Sequence, residues 1–455
     1  MHFQHFHIYL EAIFLKGTKE TEEIIQDGGA KKKRFDYKWV IVGVCFALIM
    51  ITLGFCSSTK SLYLDVVCDN LSIDRSAFSL NDSCRFIANA IVNLFFGALV
   101  HKFGTKKLML AGIVCLVGSM ALYATATNLV MFYLGGVLLG IGFSWTGTTM
   151  IGCVVNKWCR ENRGTIMGAV LAANGIGGAI AIQLISPVIE AGGENYRNGY
   201  VISGIAVLVV GVLVLIFMRE APKNFDKSTP VHTKKKGRGE PWPGVEFSKA
   251  KRLAYFYGAL VCIFLAGFCL QGTGGIAKAH MKDVGIDATF IASILSFSSL
   301  TLACFKFLTG FVYDKLGLRF TSSMCSITAA VVTFLLAFLS NSTVGLVMAT
   351  IYCIFKSLAL PLETIMLPIY ASDLFGEHSY EKILGIFVSV NVTGYALGAP
   401  VINLCFDLFG TYKPILIACA VIMLTITIVM QFIITKAHKV RSEVTAMAEA
   451  NQQEA

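Results

Sequence analysis

Residues 306–319 read KFLTGFVYDKLGLR. The stretch starts inside a long apolar run and ends in a short charged loop. A lysine at mid-membrane depth costs roughly 2.5–3.5 kcal/mol on insertion scales, so Lys306 needs a physical reason to be there. Just beyond it, Gly310, Asp314 and Gly317 make the pattern Gly-x3-Asp-x2-Gly, and Arg319 closes the loop. An earlier stretch, GALVHKFGTKK, places Gly97, His101 and Gly104 at the same spacing, 213 residues before (Gly97 to Gly310). The offset is close to half the chain. It predicts two similar halves, with Lys306 facing whatever passes between them.

Composition agrees with a membrane protein. Of the 455 residues, 55% are hydrophobic and 15% charged, against about 25% charged in a soluble domain; the mean hydropathy is +0.69. The apolar residues come in blocks long enough to cross a bilayer as helices, and each block must be helical because backbone groups in lipid need internal partners. Twelve spans are expected, near 40–64, 82–101, 108–127, 129–155, 165–189 and 199–218, then 252–280, 288–313, 320–340, 343–370, 381–408 and 412–435. The expected class is an all-α membrane protein with two six-helix bundles, 40–218 and 252–435. They are joined by a linker, 219–251, and flanked by a tail of 1–39 and another of 436–455.

The formal net charge is +10, which would suit a nucleic-acid partner if it were spread over one surface. It is instead gathered in alternate loops: KKKR (31–34), HKFGTKK, NKWCRENRG, the linker with Lys234–Lys236, DKLGLR and KAHKVR. The intervening loops, such as DNLSID, KDVGID and SNST, are acidic or neutral. By the positive-inside rule the basic loops and both termini are cytoplasmic, in a cell (plasma) membrane. Nucleic acid is excluded as a partner; the bilayer and a small solute are implied. The start, MHFQHFHIYLEAIFL, carries Glu11 and lacks a basic leader, so it is a poor signal peptide. The fourteen Cys show no C-x2-C pairs, which argues against zinc or a disulfide framework; Cys68 and Cys84 flank one outer loop where a bridge could form. No metal or cofactor is expected, and no nucleophile–base set or phosphate-binding loop points to an enzyme.

A second match supports duplication. Gly168, Asn174 and Gly177 share the Gly-x5-Asn-x2-Gly spacing of Gly385, Asn391 and Gly394, 217 residues on. Parallel repeats of this kind place substrate between the halves near the midplane. The glycines allow close helix approach, for packing or for sliding. Asn174 and Asn391 can bind substrate or tie helices together.

The repeated Gly-x3-Asp-x2-Gly loop, the twelve spans and the cytoplasmic central loop resemble the major facilitator superfamily over residues 38–436. The resemblance implies a secondary transporter working by alternating access. It also implies that Gly97, His101, Gly104, Gly310, Asp314, Gly317 and Arg319 form the conformational-switch loops, with His101 standing where the family has an acid. Lys306-x3-Gly-x3-Asp is similar to the span-8 pattern of the oxalate/formate antiporters and monocarboxylate transporters, where an arginine binds the substrate carboxylate. Lys60-Ser61 resembles the span-1 lysine of the monocarboxylate group. Departures are present: span 11 lacks the lysine of the oxalate antiporters, and Leu302 stands where monocarboxylate transporters carry aspartate.

Intramembrane ionisable residues are site candidates by default. Lys306, Lys356, Lys60 and Arg85 would make a positive cavity for a small anion. Lys60 and Arg85 could also snorkel outward, Lys306 could pair with Asp314, and Lys356 with Glu363. Glu363, His280 and Asp65 are the candidates for proton coupling; Tyr255 and Tyr395 could line the path. The expected function is transport of a small carboxylate, monocarboxylate or oxalate/formate type, as proton symport or anion exchange. The alternatives are a sugar or drug carrier of similar build, or a transporter-like sensor.

Overall fold

The structure is a computed structural model that describes residues 37–73, 75–159, 162–190, 196–220, 242 and 244–453. The basic cluster 31–34 and most of the linker, with Lys234–Lys236, lie outside the described residues. Val40–Ala455 forms one compact unit, and Met1–Trp39 falls outside it.

Eleven described helices are long and apolar enough to cross a membrane, and a bent pair makes the twelfth. They are span 1 (Lys38–Ser58), span 2 (Leu80–Leu94 and Phe96–Phe103, 62° apart), span 3 (Thr105–Thr125), span 4 (Leu129–Trp158), span 5 (Arg163–Glu190) and span 6 (Tyr196–Phe217). Span 7 (Ala254–Asp283), span 8 (Ala288–Leu316), span 9 (Leu318–Ala337), span 10 (Thr343–Thr364, continued by Met366–Phe375), span 11 (Tyr380–Phe409) and span 12 (Lys413–Gln453) complete the set. Span 12 continues as helix well past 435, where the sequence pattern predicts its end. The sequence there, KAHKVRSEVTAMAEANQQ, holds no glycine or proline to stop it.

The packing repeats. Span 5 packs on spans 1 and 8, as span 11 packs on spans 7 and 2. Span 4 packs on spans 2 and 3, as span 10 packs on spans 8 and 9; span 6 lies on span 3 as span 12 lies on span 9. Adding six to each number in the first half, and subtracting six in the second, maps every pair onto its partner. Two pseudo-symmetric six-helix bundles result. Gly104 and Gly317 have φ of +80° and +82°, a conformation open to glycine and strained for other residues. Each starts the helix of its half that follows the signature loop.

The breaks repeat too. Span 4 is interrupted at Gly147, whose backbone is extended. Span 10 is interrupted at Leu360, 213 residues later, where Pro361 begins a new short helix. Proline lacks an amide hydrogen, so it ends one hydrogen-bond ladder and starts another. Span 1 relaxes into π-helix over Met50–Ser58, a rare geometry frequent at functional sites.

The seam between halves is shut at the end bearing the basic loops. A methyl on Gly168 would stand 2.6 Å from the Lys306 carbonyl oxygen, and one on Gly97 would stand 2.6 Å from the Lys382 Cα. Gly385 lies against the Asn93 carbonyl, and Gly152 against Pro368. These glycines let backbones cross at van der Waals distance.

Candidate substrate-binding site

Beyond that closed end lies a cavity of about 260 Å³. The first half contributes Leu53 and Ser57 of span 1, Arg85, Phe86 and Asn89 of span 2, and Phe143 with Gly147–Thr149 at the break in span 4. The second half contributes Gln271, Glu363 and Thr364 at the break in span 10, and Val388, Asn391, Val392 and Tyr395. Discontinuous helices thus meet the cavity from both halves.

The Glu363 carboxylate is 4% exposed. Gln271 Nε2 donates to its Oε2 at 2.7 Å, and the Tyr395 hydroxyl stands beside it. Lys306 and Lys356 both act on it electrostatically. Buried ions are tolerated when they meet opposite charge. Lys356 does so from across span 7, because Gly274 leaves room for its ammonium: a Cβ there would collide with Lys356 Nζ.

Neither ammonium lines the cavity, which corrects the expectation for Lys306. It is 3% exposed and its backbone is wedged against Gly168, so it sits in a helix crossing and reaches the cavity through Glu363. Nor does Lys306 pair with Asp314. Asp314 instead caps span 5: Oδ1 accepts the Gly164 amide at 3.1 Å, and Oδ2 accepts the Thr165 amide at 2.7 Å and its hydroxyl at 2.6 Å. A carboxylate at a helix N-terminus meets unpaired amides and the positive end of the dipole.

Arg85 is the cation on the cavity wall. Its Nη1 donates to Ser57 Oγ at 3.3 Å, and its plane stacks on Phe86 at 4.5 Å. Its Nη2 lies 3.1 Å from Asp82 Oδ1, and Lys60 pairs with that same oxygen. Both cations are therefore held by a carboxylate and do not simply snorkel outward. Lys60 lines a separate pocket of about 20 Å³ inside the first half, with Tyr63, Asn81 and Tyr123, room for one water.

The other candidates disperse. Asn391 lines the cavity while its Nδ2 donates to the Ile263 carbonyl at 3.1 Å, tying span 11 to span 7. Asn174 accepts weakly from Ser58 Oγ at 3.4 Å, tying span 5 to span 1. His280 Nε2 lies 3.0 Å from the Leu336 carbonyl and its ring meets Tyr412 edge-on, so it joins spans 7, 9 and 12 away from the cavity. The Asp65 side chain lies outside the described part of the chain. Tyr255 stacks on Phe375 near the basic-loop end. His101 is exposed, and Arg319 donates to Thr435 Oγ1 at 3.1 Å. No disulfide joins Cys68 and Cys84.

Sequence reading passed over Asp82, Gln271 and Asn89. Each had a signal. Asp82 stands three residues before Arg85, one helical turn away. Gln271 is a lone amide in an apolar run, and Asn89 stands four residues before Asn93.

A family model described as Major Facilitator Superfamily matches residues 40–360 and 259–453. The chain belongs to the Major Facilitator Superfamily. Among its curated relatives, the sialic acid transporter NanX of Escherichia coli is 25% identical over 355 residues, covering 74% of this chain and 80% of that protein. Human monocarboxylate transporter 2 is 21% identical over 423 residues, covering 86% and 84%. Among solved structures, the facilitator FucP in its outward conformation superposes with a TM-score of 0.68 at 16% identity, covering 87% of this chain and 99% of that one. This facilitator is therefore a multi-pass secondary transporter of a small molecule, working by alternating access, and not an enzyme.

Proposed function

We propose that this facilitator carries a small carboxylate anion through the cavity at the Arg85–Glu363 seam. The observation that supports it most is charge balance. Among the described side chains, four cations (Lys60, Arg85, Lys306 and Lys356) are grouped with two carboxylates, Asp82 and Glu363. The excess is positive, and low-dielectric walls strengthen its pull on an anion. NanX and monocarboxylate transporter 2 are both named for carriage of acids. The halves 40–218 and 252–435 rock about the glycine crossings, the basic loops face the cytoplasm of a cell whose plasma membrane holds the chain, and the closed basic-loop end is the inner gate.

Glu363 supplies proton coupling in this reading. Ionised, it offsets one of the two charges of Lys306 and Lys356. Protonated, it leaves both charges uncompensated behind the cavity wall, where their field attracts the substrate anion, so proton and anion bind together. Uptake into proteoliposomes is the test, with pyruvate, lactate, formate and oxalate as probes and no anion inside. An inward pH gradient alone should drive accumulation, and Glu363→Gln should abolish its dependence on pH. No accumulation without an internal anion would favour exchange over symport.

A neutral sugar is the second reading, favoured by the amide and hydroxyl groups of Asn89, Gln271, Asn391 and Tyr395 on the wall. A sugar panel in the same vesicles separates the two: the charge-based reading requires a carboxylate-only response.

A further inference from the structure

The cavity is flanked by two charge groups of the same make-up. In the second half one carboxylate, Glu363, serves Lys306 and Lys356. In the first half one carboxylate, Asp82, serves Lys60 and Arg85. They are not copies of each other: Arg85 falls 213 residues before Ser298, and Lys306 213 residues after Asn93.

Within the first group the roles divide. Lys60 belongs to the small inner pocket, and Arg85 to the transport cavity. Asp82 joins them through a single oxygen, Oδ1, and its side chain is 34% exposed against 12% for Arg85. The guanidinium is fixed from its other sides: Ser57 Oγ takes Nη1, and the Phe86 and Phe143 rings stack at 4.5 and 5.7 Å. Its position is therefore set by the helices, while its carboxylate partner sits on the more open side. A guanidinium holds a carboxylate best through two parallel hydrogen bonds. Asp82 offers Arg85 one contact, through an oxygen it shares with Lys60.

We propose that Asp82 is an internal counter-anion: it holds the Arg85 guanidinium while the cavity is empty and is displaced from it by the substrate's carboxylate. The idea rests on the anion reading above. Asp82 is a positioning residue; it keeps an unliganded cation from standing uncompensated in a low-dielectric wall, and stays neutralised by Lys60 when Arg85 turns to substrate. An exchange of one carboxylate for another leaves the charge at Arg85 nearly constant through the cycle. It also weakens net affinity, because the substrate must replace an existing contact, and this lets it leave.

The expected result for Asp82→Asn is a half-saturating carboxylate concentration about tenfold lower, within the range of ordinary coupling energies, together with slower turnover. Pyruvate, lactate, formate and oxalate uptake into proteoliposomes reads both. Asp82→Glu keeps the charge and should behave as wild type, and in an Arg85→Gln background Asp82→Asn should shift nothing. A half-saturation unchanged or raised in Asp82→Asn, with the protein inserted and Asp82→Glu normal, overturns the proposal.

A second readout needs no substrate. Phenylglyoxal modification of Arg85, followed by peptide mass spectrometry on the full chain in detergent, should be several-fold faster in Asp82→Asn than in wild type. Equal rates overturn the hold of Asp82 on Arg85. Faster labelling in a chain that carries none of the four carboxylates overturns the anion reading instead, and with it the exchange of carboxylates on Arg85.

Discussion

At the end of span 8, Asp314 takes three hydrogen bonds from Gly164 and Thr165 across the seam, and pins the start of span 5. At the end of span 2, His101 holds the equivalent place and is exposed. The start of span 11 is secured there by a different pair, Lys157 Nζ with Glu381 Oε1 at 3.4 Å, and by the close approach of Gly97 to Lys382. The two loops share the positive φ of their glycines, Gly104 and Gly317. Glu220, from the end of span 6, adds a carboxylate on the Thr105 and Lys106 amides at 2.9 and 3.1 Å, capping span 3 within its own half. Duplication thus kept the frame and let the chemistry diverge, and one half holds the other more tightly through Asp314 than it is held in return.

The same divergence governs the cavity. Lys306 has Asn93 as its counterpart, a buried amide whose Nδ2 donates to Asn89 Oδ1 and Ser144 Oγ. At this position only the second half carries a charge, so the two halves meet the shared seam with different chemistry.

The largest expected effect breaks this asymmetry at its core. Lys306→Ala leaves Glu363 with one cation fewer, and carboxylate uptake should fall at least about tenfold, since truncating one member of a buried charge group costs roughly 2–5 kcal/mol. Lys306→Arg should retain part of it. Normal uptake by a correctly inserted Lys306→Ala protein would remove this lysine from the site.

Asp314→Ala removes the stronger latch. It should favour opening of the basic-loop end by about 1–2 kcal/mol, the worth of a lost helix cap. Thiol labelling of a single cysteine at Ser372 in an otherwise cysteine-free chain would report it. Glu381→Gln, the mirror change, should do less, because a partly exposed ion pair contributes only about 0.2–1 kcal/mol. Equal effects would show the halves to be latched alike.

Gly274→Leu should push Lys356 off its place over span 7 and raise half-saturation several-fold, an effect smaller than loss of a charge. Gly274→Ala tests the same contact with one methyl. The smallest expected change sharpens the comparison from the other side. His101→Asp restores the acid to the first loop, near the start of span 11, and should raise the thermal midpoint by at most a few degrees, as helix-dipole contacts of about 0.3–1 kcal/mol allow.

Several of these features are legible in the sequence. Apolar blocks of bilayer length, the alternation of basic and acidic loops and the 213-residue repeat fix the helices, their number and the duplication, because lipid admits no other backbone solution. The site was only partly legible. Lys306, Lys356, Arg85 and Glu363 stand out by the cost of burying charge. Which of them meets the cavity is another matter, since a residue's direction depends on helix phase, on the breaks at Gly147 and Leu360, and on the Gly168 crossing.

The sequence alone determined a duplicated twelve-helix membrane body with charges at its centre, for local hydrophobicity and spacing are enough to specify both. Tertiary structure decided that Arg85 faces the cavity, that Lys306 works from behind Glu363, that Asp314 serves span 5 and that Asp82 bridges Lys60 and Arg85. All of these but the Asp82–Arg85 contact join residues from different helices, and only the packing of one helix on another brings such an ion to its partner.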